Sequence, residues 1–257
     1  MPIKSGDFIL INYTMKIKDQ EKILDTNIRE EAEKAGIFSE KTRYEPLLVI
    51  VGEGFLLKSL EEKLIGLEKD EEKDIELSPE EAFGSRDPNK IKVYSAREFS
   101  MRGIIPRPGL EVEIGGKRGT IVSVGGGRVI VDLNHPLAGK TLVYHIKVLE
   151  IIEEFEKRIQ ELFHRWVSNI PKEEIKVQRE DKTLILEVPE SIFFIDRIGL
   201  LLRGFQRDVT KYISEIETLK FVETFPLKKE EEKSEEKESS QESQPQQEQV
   251  EASENKE

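Results

Sequence analysis

The sequence predicts an α+β protein: a mostly antiparallel sheet wrapped on one short helix, a small β-rich insertion, a C-terminal α-β-β-α-β unit and a disordered acidic tail. Three observations predict it. Phe8 to Ile17, Leu47 to Val51, Glu72 to Leu77 and Leu142 to Ile151 are apolar or alternating runs bounded by turn residues, as strands are. Between the second and third of these, Phe55 to Gly66 sets Leu56, Leu57, Leu60 and Leu64 at helical spacing, with glycine as the stop. From Lys228 onward stand 11 Glu and 5 Lys with almost no core formers, half of the net charge of −12, and such a segment cannot bury enough apolar surface to order itself.

Taken in order, the strand from Phe8 is followed by a second short one, Ile23 to Thr26, after the polar turn at Asp19-Gln20. Residues 27 to 43 are polar around an Ala-rich centre and predict a short surface helix. Gly52-x-Gly54 before the amphipathic stretch has neither the glycine-lysine pair of a phosphate loop nor the third glycine of a dinucleotide fingerprint, so it predicts a sharp strand-to-helix turn. Ser78 to Gly84 is a turn opened by proline and closed by glycine. Ser95 and Glu98 occupy capping-box positions on a short helical turn. Leu110 to Ile114, Arg118 to Val124 and Arg128 to Asp132 are then strands joined by Gly115-Gly116 and Gly125-Gly126-Gly127. The chain afterwards returns to the opening sheet, which makes residues 87 to 132 an insertion in a domain formed by 1 to 86 and 133 to 150. Beyond it, Ile152, Phe155, Ile159, Leu162, Phe163 and Trp166 share one helical face, and Phe194, Ile198, Leu201, Phe205, Val209 and Tyr212 another. With strands at 175–177, 183–188 and 219–222 they form a domain over 151 to 227, and 228 to 257 is the tail.

Composition removes several classes of function. Without cysteine there is no disulfide framework, thiol catalysis or cysteine-based zinc site. The three histidines (His135, His145 and His164) have no companions at ligand spacing, so no metal or other cofactor is expected. Net negative charge argues against nucleic acid as a partner. The sequence has neither an apolar run long enough for a membrane span nor the layout of a signal peptide, so no membrane and a cytoplasmic location are expected. Leu142, Tyr144, Ile146 and Val148 form one row of the last long strand. Leu142 and Tyr144 of this row, together with Tyr13, Leu24, Leu47, Leu56, Leu57, Leu60 and Phe83, can line an apolar concavity, the usual form of a ligand pocket. Tyr13 and Asp25 are its polar candidates, and no nucleophile-base set or acid pair accompanies them.

Tyr13, Leu24-Asp25, Val51-Gly52-x-Gly54-x-Leu56-Leu57-x-x-Leu60-Glu61, Pro79-Glu80-Glu81-Ala82-Phe83-Gly84 and Asn134-His135-Pro136-Leu137-Ala138-Gly139-Lys140-Thr141-Leu142 succeed one another in an order and spacing that resemble the FKBP family of peptidyl-prolyl cis/trans isomerases. The resemblance is to the SlyD-like form with an inserted flap domain, and with the following unit to its long archaeal members. It implies an FKBP-like sheet and a proline pocket. Tyr13, Asp25, Phe83 and Tyr144 would be its catalytic residues, and Leu24, Leu47, Leu56, Leu57, Leu60, Ala82 and Leu142 would bind substrate. Asp25 would either accept a hydrogen bond at the rim or orient Tyr13. Two positions depart from the single-domain members: the floor aromatic is Leu60, and the lip tyrosine is Phe83, which has no hydroxyl. The expected partners are unfolded or nascent polypeptides containing proline, bound in part by the insertion with chaperone activity, and a second copy of the chain through residues 151 to 227. The alternative expectation is a holdase-type chaperone with a weak or vestigial pocket.

Overall fold

A computed structural model describes residues 1–225. Five strands make the first sheet: β1 (Phe8–Ile17), β2 (Ile23–Thr26), β3 (Leu47–Ile50), β4 (Glu72–Leu77) and, after the insertion, β9 (Leu142–Ile152). β1 is central because β9 pairs with it from Phe8↔Ile152 to Ile17↔Leu142, while β2 and β3 share its other edge. β4 closes the sheet against β9, and every pairing in it is antiparallel.

Phe8-Ile9-Leu10-Ile11 is apolar at every position, so both faces of this part of β1 need cover. On the front, Ile9 and Ile11 pack with Val49, Ile146 and Val148 against Leu60 and Leu64 of α2 (Lys58–Leu64). On the back, Phe8, Leu10, Leu48, Ile50 and Ile152 pack against Ile159, Leu162 and Phe163 of α4 (Phe155–Trp166). A short helix, α1 (Arg29–Lys34), sits in the link between β2 and β3 and buries Ala32. α2 starts later than its periodicity predicts. Leu56 and Leu57 lie in the approach to it, and Leu57 keeps an extended backbone (φ −58, ψ 134).

The insertion carries its own sheet and core. β5 (Ile91–Ser95), α3 (Ala96–Met101), β6 (Glu111–Ile114), β7 (Lys117–Gly125) and β8 (Arg128–Asp132) give a sheet in the order β5-β8-β7-β6 around Phe99, Val112, Ile121, Val129 and Val131. Ser95 and Glu98 form the expected capping box on α3. In the last unit β10 (Lys176–Glu180) is antiparallel to β11 (Thr183–Glu187), and β12 (Thr218–Val222) is parallel to β11. α4 packs against α5 (Ile198–Tyr212) through Phe163 and Phe205, whose rings meet edge-on with centroids 5.3 Å apart.

Two sequence expectations are corrected here. Ile152 ends β9 and faces the back core; it is not on α4, because the strand runs on to its last apolar residue. Phe194 is 80% exposed in a 3₁₀ turn and is not on the buried face of α5, which Arg197 starts with a left-handed backbone (φ 57). Among the described residues no helix is long and apolar enough to cross a membrane. The acidic tail expected over 228–257 lies outside the described residues.

Candidate functional site

The front of the first sheet and the loop entering α2 share one apolar cluster, and Tyr13, Tyr144 and Phe83 are its aromatic members near the candidate site. Tyr144 reaches it from β9, where Leu142, Tyr144, Ile146 and Val148 are all buried in one row. The opposite face of the strand is charged, with His145 against Asp74 (2.8 Å) and Lys147 against Glu72 (2.6 Å). Tyr13 comes from β1, half-buried, and its ring lies 6.3 Å from that of Tyr144 at a tilt of 43°. Its hydroxyl donates to Asp25 Oδ2 at 2.9 Å. Asp25 itself stands exposed on β2, opposite Met15. Asn27 holds this edge together: its Oδ1 accepts from the Tyr13 amide at 2.7 Å, and its Nδ2 donates to the carbonyls of Ile11 and Glu45.

Leu56 and Leu57 pack on this cluster from a loop that one carboxylate organises. Glu61 is 2% exposed and has no cationic partner among the described salt bridges. Its Oε2 accepts from the amides of Gly52 and Gly54 at 2.8 and 3.1 Å, and its Oε1 from Leu56 at 2.7 Å. Gly52 and Gly54 take positive φ values (91 and 79), which turn these amides toward the carboxylate. A buried carboxylate is tolerated here because three N–H donors replace its water. Leu60 is buried in the first turn of α2, and Leu24, Leu47 and Ala82 pack at the periphery, half-buried. Phe83 lies flat on the imidazole of His135, with centroids 4.1 Å apart and planes within 8°.

All the apolar and aromatic residues expected to line a pocket therefore belong to one apolar cluster or its border, and Asp25 joins them only through its hydrogen bond with Tyr13. Three more were missed: Met15 is a buried member, Leu137 packs at the edge, and His135 backs Phe83. An apolar residue inside a polar turn between Pro136 and Gly139 was the available signal for Leu137. Nothing in the sequence marks the stacking of His135, because it depends on two turns meeting in space. That meeting is fixed by Gly139 N–H donating to the Gly84 carbonyl at 2.8 Å.

The electrostatics suit binding without proton chemistry. Burial, then the Asp25 charge and its hydrogen bond, push the Tyr13 hydroxyl far above its ordinary range. Burial, then Asp25, push Tyr144 up to about 12. Both phenols stay protonated at neutral pH and keep their O–H donors. Among the described residues no group of three or more His, Cys, Asp or Glu could hold a metal. The arrangement can exclude water from a small apolar group and offer hydrogen bonds at its rim.

Comparison with known proteins matches three successive parts of the chain. The pattern described as "FKBP-type peptidyl-prolyl cis-trans isomerase" matches residues 1–102, "FKBP26, IF domain" matches 92–137 and "FKBP26_C-terminal" matches 147–226. A "Short-type peptidyl-prolyl cis-trans isomerase" of Methanocaldococcus jannaschii is 35% identical over 149 residues, which cover 58% of this chain and 94% of that protein. An "FKBP-type 16 kDa peptidyl-prolyl cis-trans isomerase" of Escherichia coli is 32% identical over 162 residues, 58% of this chain and 93% of the relative. The SlyD isomerase of Helicobacter pylori is 28% identical over 166 residues, 60% and 78% of the two chains.

Proposed function

The chain belongs to the FKBP-type peptidyl-prolyl cis/trans isomerases, which act on proline-containing polypeptides, and from that premise we propose that the apolar surface between Tyr13, Leu57 and Tyr144 is its proline site. One observation carries the assignment: a single apolar cluster joins Leu56, Leu57, Leu60, Leu142 and Tyr144 beside the Tyr13–Asp25 hydrogen bond. Rotation about an X-Pro bond is slow because amide resonance is lost in the twisted state. The twisted amide is less polar than the planar one, so a wall of leucines and aromatic rings that withdraws water favours it. A barrier lower by about 5 kcal/mol gives roughly 10⁴-fold acceleration without acid, base or nucleophile. Leu60 and Leu142 form the floor, Leu24, Leu47 and Ala82 the sides, and Phe83 the lip. Asp25 holds the Tyr13 ring in place.

We assign the isomerase domain to 1–86 with 133–150, a flap domain to 87–132 and a third domain to 151–227. The flap binds unfolded chain and suppresses aggregation. Val93, Met101 and Ile105 support this reading, because on so small a unit they are 61%, 73% and 84% exposed. The same observation favours the second reading, a holdase with a weak pocket. Exchange NMR on an X-Pro peptide with catalytic amounts of the protein separates the two. Tyr144→Ala or Asp25→Ala should slow exchange while the protein stays folded, and full efficiency in both variants would overturn the site. We also propose a homodimer through the third domain, supported by exposed Phe193, Phe194, Leu200 and Phe225. Light scattering on the full chain should give twice the monomer mass; a monomer at high concentration removes this proposal.

A further inference from the structure

Resting on the proline-site reading, we infer that His164, in the last turn of α4, is a positioning residue for that site: it fixes the irregular segment 43–46, which in turn fixes the backbone of Tyr13. The outer edge of β1 has a gap. β3 pairs with it as far as Ile11↔Leu47, and β2 only from Thr14↔Thr26, so neither strand reaches Tyr13. The buried side chain of Asn27 fills the gap. Its Oδ1 accepts from the Tyr13 amide at 2.7 Å, and its Nδ2 donates to the carbonyls of Ile11 and Glu45, each at 2.9 Å. Of these three partners only Glu45 lies outside β1.

Two contacts from α4 hold Glu45 and its neighbour. His164 Nε2 lies 3.0 Å from Glu45 Oε2, and a carboxylate only accepts, so this nitrogen carries a proton. The His164 carbonyl accepts in turn from Arg43 Nη1 at 3.3 Å. Arg43 also meets Glu45 Oε1 at 3.2 Å, so segment and helix turn are clasped in both directions. The imidazole is itself fixed, since its side chain is 12% exposed and Nδ1 lies 3.3 Å from the Ile170 carbonyl. Apolar packing does not replace these contacts. A cavity of about 310 Å³ lies beside them, lined by Tyr13, Asn27 and Leu47 on the sheet side and by Glu161, His164 and Arg165 on α4. A released Glu45 carbonyl has room to move into that space and to take Asn27 and the Tyr13 backbone with it. The Tyr13 ring must be in place when the amide twists, so the loss falls on kcat rather than on KM.

The test is exchange NMR on a short X-Pro peptide with variants of the full chain. His164→Ala should lower kcat about fivefold at a KM within about twofold of the wild type, and should speed hydrogen exchange at the Tyr13 amide by a similar factor. His164→Gln keeps an N–H donor for Glu45 and should restore both. Glu45→Ala retains the backbone carbonyl; it should reproduce the loss, and joining it to His164→Ala should add nothing. Arg158→Met removes a different bond from α4 to the sheet, to the Ile152 carbonyl at 2.8 Å, and should leave kcat unchanged. Normal kcat in His164→Ala overturns the inference. No recovery in His164→Gln, additive losses with Glu45→Ala, or an equal loss in Arg158→Met overturn it too, the last by making the effect one of general docking. Failure of the proline site reads differently, because Tyr144→Ala would then keep full efficiency. Failure of this inference leaves Tyr144→Ala impaired beside a normal His164→Ala.

Discussion

Glu61 shows how much one side chain settles. Its carboxylate gathers the amides of Gly52, Gly54 and Leu56, so the substitution Glu61→Ala leaves three N–H groups short of an acceptor inside a buried loop. We expect a loss of about 2–4 kcal/mol in urea unfolding and a fall in isomerase efficiency, with Glu61→Gln milder in both because one oxygen remains. Tyr144 supplies a pH dependence. Its folded value of about 12 lies above the ordinary 10.0, so the native state favours the protonated phenol. Stability from this group is complete below pH 10 and is lost as pH rises toward 12. Unfolding followed across that window should show a shallower decline in Tyr144→Phe than in the wild type. At this scale the sequence was most legible where side chains alternate. Leu142, Tyr144, Ile146 and Val148 could be read as one face, and all four are buried. Leu56 and Leu57 were misplaced on a helix, because helical spacing cannot see that Glu61 holds their loop extended.

Strand limits at 8–17, 23–26 and 72–77 agree with the sequence reading because turn residues bracket alternating runs. What the elements pack against was less legible. Phe8 to Ile11 and Leu47 to Ile50 are apolar at every position, a sign of two covered faces, but the pattern does not say which element supplies the second cover. Helix pairing in the last unit depends on a missing side chain. A Cβ at Gly204 would sit 2.4, 2.5 and 2.6 Å from three carbons of the Trp166 indole. Trp166 is held there by its N–H donating to Asp208 at 2.7 Å. Gly204→Ala should therefore cost about 1–3 kcal/mol despite its better helix propensity, and denaturant unfolding would read it. The neck of the insertion is another such point. The Asn134 side chain accepts from the Asp87 amide and donates to the Asp87 carbonyl, both at 2.9 Å, and also donates to Asp132 at 2.7 Å. Partial burial works against the Asp132 charge, but hydrogen bonds from Asn134 and Arg86 hold its carboxyl below the ordinary range. Its contribution is present at neutral pH and is lost as acid protonates it. Asn134→Ala should speed amide exchange at Asp87 by about tenfold.

Across the whole molecule, the back core is shared. Phe8, Leu10, Leu48, Ile50 and Ile152 of the first sheet have their cover in a unit that begins after the sheet ends. A chain stopped at residue 152 should expose them and aggregate, which sedimentation would reveal; a soluble, monomeric fragment would show that this face does not need α4. Deleting 87–132 has a different expected outcome. The core of that unit is its own, so the shortened protein should keep activity on short X-Pro peptides and lose most of it on unfolded protein in a refolding assay. The strand order has a further effect during synthesis. β1 emerges from the ribosome first, but its long partner, β9, follows the entire insertion. The insertion's pairings all lie between Ile91 and Asp132, so it can fold while β1, already able to pair with β2 and β3, still lacks β9. The unit proposed to hold unfolded chains would then be complete first, next to an unfinished chain of its own.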